Sequence, residues 1–400
     1  MTSTSFRALL RMAVLPLVAA TVVSLSAPTA ASSGRDDQAA DIVATAPAGQ
    51  PLEVVVTSRG SDGVLRVTTT LVKTKTMALE LILQALHLSS TIGAEMNTSV
   101  SIDSSTYNDS LRSQQWALTA LKAETVQKTS KGSGVTVAVL DTGVQASHVD
   151  LSGSVLAGTD VISPGTSATD ENGHGTAVAG IIAATYNNKK GIAGLAPQVK
   201  ILPVRILDAN GSGTSADVAK GILYAASNGA RVINLSLGST VHTTAMEAAV
   251  AEAIKKNVLV VAAGGNRGCD ATGSSPTEYP ASYAGVVGVG AVDKSLKKAS
   301  FSSCGSWVDL SAPGASVITT MMRNSVGLGC GATSDYCTLN GTSFATPYVA
   351  AAAALAIAKR GWSQTTVANK LLTSATDLST PGKDKTTGAG FLNPVKLVAK

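Results

Sequence analysis

Between residues 135 and 263, short apolar runs alternate with amphipathic stretches. Residues 135–140, 201–206, 232–236 and 258–263 are runs dominated by Val, Ile, Leu and Ala, the pattern of strands buried on both faces. Residues 174–185, 215–227 and 243–256 space their apolar positions at helical intervals. This rhythm predicts repeated βαβ units: an α/β chain in three layers, with a parallel central sheet between helices. In such sheets functional groups collect at the carboxyl ends of strands and the starts of the following helices. The N-terminal part reads differently. Residues 52–56 and 64–71 predict strands and residues 78–88 an amphipathic helix, a small α+β domain, and residues 99–108 form a polar Ser/Thr-rich linker.

The first 31 residues predict a secretory signal: Arg7 and Arg11, an apolar stretch over residues 12–25, then the small residues Ala27, Thr29, Ala30 and Ala31. A membrane anchor would need about 20 apolar residues, and this run is shorter and broken by Pro16. The Ala-rich stretch over residues 345–358 is also short, and Lys359 and Arg360 bound it. The expected division is residues 1–31 as signal, 32–107 as the small domain and 108–400 as the main domain. The product is expected to be exported, extracellular and monomeric, without membrane contact once the signal is removed.

Composition narrows the classes. A hydrophobic fraction of 44% against 14% charged residues excludes a disordered chain. The net charge of +5 is spread thin, with no basic run longer than two residues, which argues against nucleic acid or an anionic membrane as partner. Only 4% of residues are aromatic, so the core must be built from small aliphatic side chains. Cys269, Cys304, Cys330 and Cys337 all lie in the last third of the chain, and an even count in an exported protein favours disulfides. Three pairings are possible; Cys269 with Cys304 and Cys330 with Cys337 is preferred, because the latter two bracket a short Gly-rich loop.

Three residues stand where the sheet pattern directs attention. Asp141 ends a strand in Val139-Leu140-Asp141-Thr142-Gly143, His174 opens a helix in Asn172-Gly173-His174-Gly175-Thr176, and Ser343 opens another in Gly341-Thr342-Ser343-Phe344-Ala345-Thr346-Pro347. Singly, each residue type is also a common turn or cap residue. Together they form the set that nucleophilic catalysis needs. A serine hydroxyl requires a base, and an imidazole requires a carboxylate to fix its tautomer and stabilise its cation.

In the order Asp, His, Ser and in their flanking glycines and threonines, these motifs resemble the subtilisin-like serine proteases (subtilases), most closely the thermitase-like branch, over about residues 108–400. The resemblance implies a secreted endopeptidase of broad specificity acting on proteins and peptides through an acyl-enzyme. It implies that Asn266, in Ala262-Ala263-Gly264-Gly265-Asn266, is the oxyanion asparagine, and that Ser236-Leu237-Gly238 and Gly264 bind extended substrate. Glu278 falls at the floor of the pocket for the residue before the scissile bond (P1). A carboxylate there favours Lys or Arg, whereas Arg267 beside it would neutralise the charge and leave broad or apolar-leaning specificity. Residues 32–107 then correspond to an inhibitory, fold-assisting propeptide, with self-cleavage near Tyr107. Asp109, Asp150 and Asn188 match family ligands of a structural calcium ion, whose preference for oxygen donors suits them.

Overall fold

The computed structural model describes residues 33–44, 52–96, 107–323, 325, 328, 330, 334–378 and 381–399. The predicted signal and most of the predicted linker lie outside these residues. Two compact units divide between Ser104 and Ser105.

The smaller unit contains α1 (Ser33–Ala44), β1 (Leu52–Arg59), β2 (Leu65–Val72), α2 (Lys75–Leu86) and β3 (Thr91–Met96), with the antiparallel strand order β2-β1-β3. Ala39 and Val43 of α1 and Ala78, Ile82 and Ala85 of α2 bury against Val54, Val72, Ala94 and Met96. Thr74 caps α2 by accepting the Met77 N–H at 3.1 Å. The β1, β2 and α2 expectations agree with the structure. The sequence reading did not anticipate α1, whose helix carries many polar residues and little periodicity, or β3, which is only six residues long.

The larger unit begins with a 3-10 turn and two short helices, α3 (Trp116–Ala120) and α4 (Ala123–Thr129). The βαβ region follows as β4 (Thr136–Asp141), β5 (Thr159–Asp160), α5 (His174–Ala183), β6 (Lys200–Arg205), α6 (Ser215–Ser227), β7 (Val232–Leu235), α7 (Thr244–Lys255) and β8 (Leu259–Ala263). The chain then adds β9 (Val286–Val292), β10 (Leu310–Pro313), β11 (Val317–Thr320), β12 (Tyr336–Leu339), α8 (Thr342–Arg360), α9 (Gln364–Ser374) and α10 (Pro394–Val398). Seven strands form one parallel sheet in the order β10-β9-β8-β7-β4-β6-β5.

The two faces of the sheet follow the period-two alternation of each strand. Val137, Val139, Ile201 and Val261 pack with α5 and α8, whereas Ala138, Leu140, Val204, Ile233 and Val260 pack with α6 and α7. The Ala-rich stretch is α8, buried from Phe344 to Ile357. Small side chains let it lie in the core beside α5 and the sheet, so it is a core helix. Among the described residues, no helix is long and apolar enough to cross a membrane. Disulfides join Cys269 to Cys304 and Cys330 to Cys337, the preferred pairing.

Tyr107, placed by the sequence at the end of the N-terminal segment, packs within the larger unit. Its hydroxyl bonds Gln127, its ring meets Tyr186 edge-on at 6.0 Å, and the Arg112 guanidinium stands 5.0 Å from its centroid. A half-buried aromatic ring contributes more against these partners than in a solvated linker.

Candidate active site

Asp141 is the last residue of β4 and is fully buried. Its Oδ1 accepts from His174 Nδ1 at 2.8 Å and from the Thr142 N–H at 2.8 Å. His174 is the first residue of α5. The helix start comes this close to the strand end because both approaches use glycine. A Cβ on Gly175 would fall 2.0 Å from the Gly143 carbonyl oxygen, and Gly173 holds φ +108°, a left-handed backbone that other residues rarely adopt. Burial pulls the His174 pKa down, but the charge and hydrogen bond of Asp141, with the charge of Asp170, hold it above the ordinary histidine value. The imidazolium is thereby stabilised, as a base that must carry a proton through a reaction requires.

Ser343 lies in the first turn of α8, next to Phe344, whose ring sits 5.4 Å from the His174 ring. Ser236 Oγ donates to the Ser343 carbonyl at 2.7 Å and accepts from Asn234 Nδ2 at 2.9 Å, tying the helix start to the end of β7. Asn266 Oδ1 accepts from the Thr342 N–H at 2.8 Å and from Thr342 Oγ1 at 3.0 Å. With its acceptor end so fixed, Nδ2 is the group left to donate elsewhere. At the start of α8 the Thr342 and Phe344 N–H groups are bonded to Asn266 Oδ1 and the Gly341 carbonyl, which leaves the Ser343 N–H and the positive end of the helix dipole to favour developing negative charge at this corner.

A cavity of about 260 Å³ opens at this corner, lined by Leu237, Gly238, Gly265, Asn266, Glu278 and Ser343 among others. A second, of about 450 Å³, shares Leu237 and Gly238 with it and continues past Ser239 toward Ser215 and Met246. Ser239 and Tyr279 exchange backbone hydrogen bonds of 2.8 Å, closing the wall between them. Glu278 is 4% exposed, with Oε1 3.6 Å from Arg267 Nε; its Oε2 has no hydrogen-bond partner among the described residues. Burial pushes the Glu278 carboxyl above the ordinary glutamate range, and the Arg267 charge opposes that push. Gly264 is not among the residues that line this cavity; its N–H bonds the Val289 carbonyl at 2.8 Å and its own carbonyl accepts from the Trp307 indole at 3.0 Å.

Asp109, Asp150 and Asn188 meet at one surface loop. The Asp109 carboxylate accepts the N–H groups of Asn187 and Asn188 at 3.0 Å each, and Asn188 Nδ2 donates to Asp150 Oδ1 at 2.7 Å. Asp150 Oδ2 accepts from the Ile192 N–H and the Tyr336 hydroxyl, both at 2.9 Å. Burial raises the Asp109 pKa, its two amide bonds lower it, and the Asp150 charge raises it further. Among the described residues, no three His, Cys, Asp or Glu side chains group as a metal site. The Asn188 amide turns its NH₂ to Asp150 and its oxygen accepts the Lys190 N–H at 2.8 Å, so the hard oxygens that suit Ca²⁺ here are those of the two carboxylates, whose like charges are held close together.

The sequence reading missed one contributor. Asp170, buried ahead of α5, accepts from Thr142 Oγ1 at 2.8 Å and from Thr176 Oγ1 at 2.6 Å, bridging the strand end and the helix start. The available signal was an Asx residue shortly before a helix start, a position that often satisfies turn amides.

Comparisons with known proteins agree with this architecture. The model of the Subtilase family matches residues 132–390. A thermophilic serine proteinase of Bacillus sp. (strain AK1) is 50% identical over 227 residues, 57% of this chain and 53% of that protein. Thermitase of Thermoactinomyces vulgaris is 42% identical over 68% of this chain and 91% of its own length. Among solved structures, a protease of Pseudoalteromonas arctica aligns with a TM-score of 0.65 at 30% identity, covering 74% of this chain and 99% of that one. The chain belongs to the subtilase family and is a serine endopeptidase of thermitase-like type.

Proposed function

We propose that this endopeptidase works through an Asp141–His174–Ser343 triad and an oxyanion site made by Asn266 Nδ2 and the Ser343 N–H. The observation that carries the reading is the 2.8 Å bond from His174 Nδ1 to buried Asp141, with the His174 ring 5.4 Å from that of Phe344, the neighbour of Ser343. Ser343 Oγ attacks the peptide carbonyl as His174 Nε2 takes its proton, and the oxyanion forms against Asn266 and the start of α8. The tetrahedral intermediate collapses as His174 protonates the leaving amine, and water then hydrolyses the acyl-enzyme by the same route. Ser236-Leu237-Gly238 pairs with the extended substrate as an added strand. Ser343→Ala is the decisive experiment.

Glu278 and Arg267 set P1 preference between them. With the pair formed, the cavity is close to neutral and apolar P1 residues such as Leu enter at least as well as Lys. Arg267→Ala leaves the buried carboxylate without its counter-charge, and a charge-assisted bond of about 1.5–3 kcal/mol then raises kcat/KM for P1 Lys over P1 Leu by about 10- to 100-fold. Glu278→Gln in the same background abolishes that gain. A panel of peptides differing only at P1 measures it; an unchanged Lys/Leu ratio in Arg267→Ala would show that Glu278 does not reach the substrate.

Calcium is proposed as a structural ion held by Asp109, Asp150 and Asn188 with nearby carbonyls, tying the segment after Tyr107 to the loop over residues 187–192. At calcium about 100-fold above its Kd, binding adds about 2.7 kcal/mol. Chelation therefore lowers Tm by about 5–10 °C. Asp109→Ala is expected to show the same loss with no further response to chelator, and a chelator-insensitive wild type would refute the site.

The chain is further proposed to be exported as a zymogen whose N-terminal unit guides folding and inhibits the enzyme until cut. The β2 residues Leu65, Val67 and Leu71 are exposed on that unit, an apolar face of the kind that buries against a partner surface.

A further inference from the structure

We propose that Asp170 is a positioning residue for the His174 imidazole, fastening the strand end that carries Asp141 to the helix start that carries His174. The inference rests on the proposed roles of Asp141 and His174. Asp170 is 4% exposed, and both carboxylate oxygens are engaged. Oδ1 accepts from Thr142 Oγ1 at 2.8 Å and from the N–H groups of Asn172 and Gly173 at 2.9 and 2.8 Å. Oδ2 accepts from Thr176 Oγ1 at 2.6 Å and the Thr176 N–H at 2.9 Å.

The placement of these partners gives the carboxylate its purpose. Thr142 immediately follows Asp141, and its hydroxyl, besides donating to Asp170, accepts the Gly175 N–H at 3.0 Å. Asn172 and Gly173 immediately precede His174, and the Thr176 N–H belongs to the first turn of α5. Five donors from both sides of the His174–Asp141 bond therefore converge on one side chain. A carboxylate can accept all five, whereas an amide must turn an NH₂ toward some of them. Chain that would otherwise be two independent loops is held as one rigid corner.

The charges around the corner are few. Asp141 faces the imidazole directly, and Asp170 adds a second negative charge that favours its cation. Arg205, in register with Asp141 on the neighbouring strand, is engaged by Asp160 at 2.6 Å and Glu171 at 2.5 Å. Its charge is thus held by two other carboxylates. Thr142, Asn172, Gly173 and Thr176 are neutral.

The test uses the full-length protein with Asp170→Asn, Thr142→Val and Thr142→Ser. Kinetics are read on a P1 Leu peptide, and in a Ser343→Ala background His174 is followed by ¹⁵N NMR. Asp170→Asn is expected to lower kcat by about 10²-fold, the scale of a misplacement near 1 Å, with KM nearly unchanged. Removing a negative charge disfavours the imidazolium, so the acid limb of kcat/KM and the NMR titration of His174 both move to lower pH. Thr142→Val loses kcat similarly, and Thr142→Ser, which keeps the hydroxyl, restores it. A merely structural role would reduce the folded fraction and leave the acid limb where the wild type has it; that result overturns the proposal, as does an Asp170→Asn enzyme within about threefold of wild type. The NMR titration does not depend on turnover. If Ser343→Ala retains activity, the triad reading fails, while a shifted His174 titration still reports the link between Asp170 and the imidazole.

Discussion

Ser343→Ala is expected to lower kcat on protein and peptide substrates by on the order of 10⁶-fold, the loss measured when the nucleophile of subtilisin is removed. Tm should stay within about 2 °C, because the change removes one half-buried oxygen and leaves the surroundings intact. The corner that holds Ser343 is built from main chain and neighbours: Ser236 bonds its carbonyl, and Thr342 bonds Asn266. None of these contacts involves the hydroxyl of Ser343, so the variant keeps the pocket and loses the chemistry. The same variant tests processing. Intact mass and N-terminal sequencing of the exported product, wild type beside variant, should show a cut wild type and an uncut precursor. The mature chain is expected to begin at or before Tyr107, whose ring packs against Tyr186 and Arg112. Identical processing of both proteins would assign maturation to another protease, and retained activity would remove Ser343 from the mechanism.

Much of this site was legible because the fold concentrates it where a sequence can be read. Parallel strands such as residues 136–141 are buried on both faces, so they appear as apolar runs that end abruptly at a polar residue, here Asp141. Helix starts flanked by glycines marked His174 and Ser343 in the same way. The rest was hidden for physical reasons. β9 to β12 are joined by loops, only three residues long between β10 and β11, with no helices between them among the described residues, so no βαβ rhythm announced them. The start of α8 was legible at Ser343 but its length was not, because it is buried from Phe344 to Ile357 and its alanines carry no amphipathic period. The position of Glu278 beside Gly238 and Gly265 depends on a 2.8 Å strand-like pairing of Ser239 with Tyr279 that no local pattern encodes. Asp170 was invisible for a related reason: its value lies in donors from Thr142 and Thr176, far apart in sequence and adjacent only after α5 docks on β4.

Asp141→Asn and Asn266→Ala are expected to weaken two different parts of one transition state, and their pH profiles should separate them. Asp141 Oδ1 accepts the proton of His174 Nδ1, which leaves Nε2 as the base toward Ser343. An asparagine at this fully buried position can donate its NH₂ to Nδ1, which forces the proton to Nε2 and presents the wrong tautomer. The expected loss in kcat is about 10⁴-fold, as for the equivalent change in a serine protease of another fold. Burial already pulls the His174 pKa down and Asp141 is the main force holding it up, so losing that charge moves the acid limb of kcat/KM to lower pH. Asn266→Ala removes a neutral donor that acts only on the developing oxyanion. Its cost is expected to be about 10²- to 10³-fold in kcat, the range known for the oxyanion asparagine of subtilisin, with the acid limb unmoved. Steady-state kinetics across pH on one peptide measures both. An Asp141→Asn enzyme whose acid limb coincides with that of the wild type would mean that Asp141 does not control the imidazole proton. A shifted limb in Asn266→Ala would mean that the amide acts on His174 and not on the substrate oxygen.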